Sequence, residues 1–223
     1  LPHLTDDECA RIVNASRRHR ILAEQFGHEG TKPDVLLTVV RDHLPLAQWE
    51  EGDVVITNDP YCGGQHIPDI LAFRPVFAEG ARIAIVGTLC HHLDMGGMAA
   101  GSYAATATEI FQEGLRLPPL KLYRRGALNG DLLAVMRQNV RQPEILWGDL
   151  QAQIASLSVG EGNLRKLATR FGAKAVVVGC AQILDGSERA MRAMIGRIPD
   201  GHYEFEDFLD DDGITDAPIR IHA

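Results

Sequence analysis

Residues 70–89 read Ile70-Leu71-Ala72-Phe73-Arg74-Pro75-Val76-Phe77-Ala78-Glu79-Gly80-Ala81-Arg82-Ile83-Ala84-Ile85-Val86-Gly87-Thr88-Leu89. Two apolar runs, 70–77 and 82–89, flank the turn pair Glu79-Gly80. Runs of this length joined by so short a turn make an antiparallel hairpin. Parallel neighbours would need a crossover of a dozen residues or more, and no room exists for one. The expected fold class is therefore α+β, with a mixed or antiparallel sheet and flanking helices.

Upstream, Glu51-Gly52-Asp53 is a turn and Val54-Val55-Ile56-Thr57 a β-branched strand. Downstream, residues 115–122 look extended. Residues 130–139 and 145–171 read as helices, the second with possible breaks at Gly148, Gly160 and Gly162. Residues 173–196 read as another, interrupted at Asp185-Gly186. Short β segments are expected at 202–208 and 219–221. Toward the N-terminus, Val35, Leu36, Val39 and Val40 share one face of a helix over 34–44. A capping box of Thr5 and Glu8, with Asp6 and Asp7 in the first turn, opens a helix over 5–26. The expected division is a helical segment, 1–32, followed by one α+β region, 33–223.

The 223 residues are 45% hydrophobic and 23% charged, which suits a packed globular chain. Net charge is -8, from 22 Lys+Arg against 30 Asp+Glu. Recognition of a phosphate backbone needs a clustered cationic face, so no nucleic-acid partner is expected. No apolar run reaches the roughly 20 residues of a membrane span. Cys9, Cys62, Cys90 and Cys180 are widely spaced without a C-x-x-C pair. That usage fits reduced thiols in a cytoplasmic protein rather than a disulfide scaffold or zinc ribbon.

The chemistry concentrates in two polar loops that follow apolar strands. The first is Asn58-Asp59-Pro60-Tyr61-Cys62-Gly63-Gly64-Gln65-His66-Ile67-Pro68-Asp69; the second is His91-His92-Leu93-Asp94-Met95-Gly96-Gly97. His66 and Asp69 are three apart, with Pro68 stiffening the link, and His91 can join them if the two strands are neighbours. A His/Asp/His set leaves positions for water or substrate, and ligation without thiolate suits zinc, manganese or iron. The other reading is that each histidine hydrogen-bonds a loop. The glycines at 63, 64, 96 and 97 permit positive φ or close approach to a ligand. Cys62 and Cys90 flank the loops, but adjacency in sequence to His91 and His92 is weak support for a nucleophile. Glu109 and Glu113 are spaced to share a helical face, as an acid/base pair or a solvated one. Arg141 and Asp149 flank Pro143 with the spacing of a structural salt bridge. No G-x-x-x-x-G-K-[ST] or G-x-G-x-x-G loop occurs.

The segments Gly52–Tyr61 and Gly63–Asp69 resemble the signature of the hydantoinase B/oxoprolinase family. So do His91–Gly97, Thr108–Pro119, Asn139–Arg141 with Gly148–Gln153, Asp200–Asp207 and Asp210–Gly213, in the family's order. The resemblance covers residues 33–223. Members are longer, so it implies a truncated or split member with a partial hydantoinase B-like domain. It implies a metal-binding B-type component that opens cyclic amides such as hydantoins or 5-oxoproline. Alternatives are a component of an acetone- or acetophenone-type carboxylase acting on a ketone, or a non-catalytic assembly subunit. It also implies an A-type ATPase partner that handles ATP and activates the substrate, hence a hetero-oligomer. The family's metal ligands fall on His66, Asp69 and His91. Asp59 and Asp94 fall at neighbouring family positions; with Glu113 they are the candidate catalytic carboxylates.

Overall fold

The computed structural model describes Leu36, residues 38–209 and residues 219–222. The predicted helix over 5–26, and the whole 1–32 segment, lie outside these. Two compact units divide the chain, 1–184 and 185–223.

The first unit is built on a five-stranded sheet in the order β3-β2-β1-β4-β5, from β1 (Val54–Thr57), β2 (Asp69–Ala78), β3 (Ala81–His91), β4 (Leu120–Arg124) and β5 (Ala127–Leu128). Every pairing is antiparallel. The β2/β3 hairpin turns at Glu79 and Gly80, whose φ values of 53° and 76° are those of a tight type I′ connection. Its ladder opens with Ala78 opposite Ala81 and ends with Asp69 opposite His91, with a bulge between Val76 and Phe77 where Ile83 is the extra residue. Pro75 lies beyond the reach of the short β1, where among the described residues β2 has no second neighbour to miss its N–H.

β1 is buried throughout, because both faces of the sheet are covered. Val54 and Ile56, with Ile70 and Ala72 of β2, pack on the helical side; Val55, Leu71 and Phe73 pack on the other face with Val39 and Trp49. Two-sided burial explains why the sequence there is uniformly apolar instead of alternating.

On the helical side lie α1 (Gly130–Gln138), capped by the Asn129 side chain, and α2 (Pro143–Phe171), with Pro at its start. Leu146, Leu150, Gln153 and Leu157 form the buried stripe of α2. The breaks expected in α2 do not occur. Gly160 instead lets the helix pass close to β3: a Cβ there would sit 3.3 Å from Val86 Cγ1. The helix ends at Gly172, with φ of 86°. The following helix, α3 (Ala173–Ile195), runs unbroken through Asp185-Gly186.

Within the helix expected over 34–44, the described residues Leu36 and Thr38 are α-helical and Val39–His43 form a π-helical turn, with Leu44 N bonded to Val39 O at 2.7 Å. Pro45 follows directly and stops continuation. In the second unit, β6 (Glu206–Leu209) and β7 (Ile219–His222) pair antiparallel. Among the described residues no single helix is long and apolar enough to cross a membrane.

Candidate metal centre

The hairpin register decides the site. Asp69 begins β2 and His91 ends β3, directly opposite one another. His66 reaches them from the preceding loop through a short turn, closed by Asp69 N donating to His66 O at 3.1 Å. Asp69 is only 4% exposed, and its carboxylate bridges both imidazoles. Its Oδ2 lies 2.9 Å from His66 Nδ1, and its Oδ1 lies 2.6 Å from His91 Nδ1. The two rings meet edge to face, with centroids 5.9 Å apart, and both are partly open to solvent.

Donor atoms from all three residues lie within 4.8 Å of one another. Around a tetrahedral ion with bonds of about 2.1 Å, donors stand roughly 3.4 Å apart, so small side-chain adjustments close the set. Two imidazoles and one carboxylate, without thiolate, fit a divalent zinc, manganese or iron ion. Such an ion would replace the contacts that now join the carboxylate to the two Nδ1 atoms. The rim is open: Tyr103 tilts against His91 at 6.1 Å between centroids. An open cavity of about 270 Å³ beside the centre is lined by His66, Pro68, Ser102, Tyr103 and Glu113, among others.

Of the expected carboxylates, Glu113 therefore shares a cavity with His66. Asp59 caps the 3-10 turn Pro60–Cys62, accepting from Tyr61 N at 3.0 Å, with Arg116 Nε 3.8 Å from its other oxygen. Asp94 is buried, and its carboxylate accepts from Gly96 N, Gly101 N, Arg141 N and Arg141 Nη1 at 2.9–3.1 Å. Burial alone would push its pKa up. Those hydrogen bonds outweigh burial and hold the carboxyl below its ordinary value. These contacts brace the loop. Arg141 pairs with Asp94, where the sequence suggested Asp149.

The glycines of the second loop serve packing. Gly96 and Gly97 both have positive φ, and a Cβ would fall 2.4 Å from Asn139 O and 2.5 Å from Gln112 O, respectively. Backbone meets backbone there, not ligand. Neither loop cysteine is primed as a nucleophile. Burial, then Asp59 and Asp42, pushes the Cys62 thiol up, although its Sγ lies 3.4 Å from His43 Nε2. Burial likewise raises Cys90, followed by Asp149 and Asp69.

Sequence reading missed the roles of several buried polar groups, Asn58, His92 and Gln153 among them. Asn58 ties the first loop down: its Nδ2 donates to Ile67 O and Leu115 O, and its Oδ1 accepts from Leu117 N at 2.6 Å. His92 and Gln153 meet behind the metal centre, 2.9 Å apart. The one signal available was a lone amide in an apolar helical stripe.

An antiparallel hairpin delivers a His/Asp/His set that could hold a metal ion, between two Gly-rich loops. The chain belongs to the hydantoinase B/oxoprolinase family, whose profile matches residues 6–223. It is 38% identical over 175 residues to the beta chain of caprolactamase from Pseudomonas jessenii, covering 78% of this chain and 30% of that one. It is 33% identical over 173 residues to the B component of a putative D-/L-hydantoinase from Pseudomonas sp. strain NS671, covering 77% and 29%. The structure of the ATP-dependent caprolactamase from P. jessenii superposes with a TM-score of 0.67 at 34% identity, over 90% of this chain and 31% of that one. Acetone carboxylase in its nucleotide-free form shares the fold, with a TM-score of 0.74 at 20% identity, over 87% and 27% of the two chains. The chain thus spans less than a third of the length of these relatives.

Proposed function

We propose that this chain is the metal-binding part of an ATP-coupled hydrolase of cyclic amides. The observation that carries the reading is that His66 belongs both to the His/Asp/His set and to the wall of the adjoining cavity. The likeness to components of a caprolactamase and a hydantoinase points to ring amides as the substrate class. His66, Asp69 and His91 would hold a divalent ion, which supplies Lewis acidity and brings the pKa of a water molecule towards 7. Asp69 faces the Nδ1 atoms of both imidazoles, so one carboxylate would share the ion with the two rings. Tyr103 and the flank of Pro68 cover the apolar face of a small ring. Glu113 accepts the ring N–H, an interaction a ketone cannot make.

A ring amide resists water because resonance stabilises its carbonyl, and ATP supplies the activation. In this reading ATP is handled by an A-type ATPase subunit, supported by the likeness to ATP-dependent enzymes; these 223 residues hold no Walker-type phosphate-binding loop. The working assembly is then a hetero-oligomer in the cytoplasm. Its test is reconstitution: the chain, with and without the A-type subunit and the remainder of a B-type subunit, is given ATP, a divalent metal, and caprolactam, a hydantoin or 5-oxoproline. Ring opening is expected only in the assembled mixture. Ring opening by the isolated chain would overturn the two-component reading.

A further inference from the structure

Gln153 places an amide in the middle of the leucine stripe of α2. Its Nε2 donates to the carbonyl of Ile70 at 2.9 Å, and its Oε1 stands 2.9 Å from His92 Nε2. A carbonyl only accepts, so the amide has one possible orientation, nitrogen to Ile70 and oxygen to His92. The amide oxygen also only accepts, so His92 carries its proton on Nε2. The other ring nitrogen, Nδ1, is buried without a hydrogen-bond partner. An apolar pair at 92 and 153 would leave nothing unsatisfied. The arrangement is therefore not one that packing alone would select.

Position supplies the reason. Ile70 directly follows Asp69, and His92 directly follows His91. The Gln153 side chain thus joins the two strands one peptide beyond each donor. The backbone closes the same junction, with His92 N donating to Pro68 O at 2.8 Å. We propose that Gln153 and His92 form a clamp that fixes the separation of Asp69 and His91, and that both are positioning residues for the metal donors. This rests on the metal-centre reading above.

The test uses the full chain, with Mn²⁺ and Zn²⁺ as probes in titration calorimetry, beside thermal unfolding. Gln153→Leu should weaken Mn²⁺ binding about ten- to a hundredfold, the usual effect of losing a partner behind the ligands. Because Gln153→Leu alone strands the His92 proton and can impair folding, the double variant Gln153→Leu/His92→Phe replaces both ends by apolar groups. It should melt no lower than the wild type, yet bind Mn²⁺ as weakly as the single variant. Leu157→Ala, on the same helix stripe, should lower the melting temperature and leave the affinity within twofold. Wild-type affinity in the folded double variant would overturn the clamp alone, as would equal loss in Leu157→Ala. Absence of Mn²⁺ and Zn²⁺ binding by the wild type would overturn the metal centre and the clamp with it.

Discussion

Arg141 and Asp94 stand 47 residues apart in the chain and meet with Arg141 Nη1 2.9 Å from Asp94 Oδ2. The same guanidinium donates to the carbonyls of Gly97 and Ala99, at 2.7 and 3.0 Å. One arginine, just ahead of α2, thereby gathers the loop that leaves His91 and His92. Arg141→Met should destabilise the first unit by about 2 kcal/mol, the scale for hydrogen bonds to a charged group whose partner stays buried. Urea denaturation measures this, and an unchanged midpoint would show that the loop is held by other means.

Acid should act through the same carboxylate. Asp94 and Asp53 are both held below their ordinary value of 3.8. For Asp53, burial pushes upward, but Lys121, 2.6 Å away, and the N–H groups of Glu50 and Arg125 outweigh it. A depressed folded-state pKa contributes stability that is complete above the unfolded value and is lost as pH falls through the folded value. Unfolding free energy should therefore hold steady down to about pH 5 and fall steeply below pH 4. Asp94→Asn should be less stable at pH 7 and show a shallower acid slope; an unaltered slope would remove Asp94 from the account.

His66→Ala and Asp69→Ala should each abolish stoichiometric divalent metal binding by elemental analysis, because one of three protein donors is lost. For the wild type, adding a chelator should lower the melting temperature, since an ion that binds only the folded chain stabilises it. Full occupancy in both variants would place the metal elsewhere.

Tyr103→Ala and Glu113→Gln should act on substrate in the reconstituted assembly and leave metal content intact. Both line the cavity beside His66. Each should raise KM about tenfold, the scale of one lost contact of 1–2 kcal/mol. A change confined to metal content would reassign them to the metal site.

Much of the sheet was legible because its signals are local. The Glu79-Gly80 turn, the β-branched run 54–57 and the two Gly-rich loops each mark their element within a few residues, and the hairpin brings Asp69 opposite His91. The rest depends on distant partners. Arg141 finds Asp94 across 47 residues, beyond the reach of a spacing rule that favoured Asp149. Gly160 reads as a helix break until Val86 is seen beneath it. Gln153 and Asn58 look like ordinary polar residues in one dimension; only burial shows that each joins two segments.

The bulge at Ile83 sets which donor atoms a metal ion would meet at Asp69. In a regular ladder counted from the Glu79-Gly80 turn, the residue opposite Asp69 would be Cys90, and His91 would turn to the other face. The extra residue advances the count by one and presents an imidazole in place of a thiol. A thiolate would shift the set towards soft, tightly held ions, whereas two imidazoles and a carboxylate keep it receptive to harder, more exchangeable ones. One residue near the turn, at the far end of the hairpin, thus decides whether an imidazole or a thiol stands opposite Asp69.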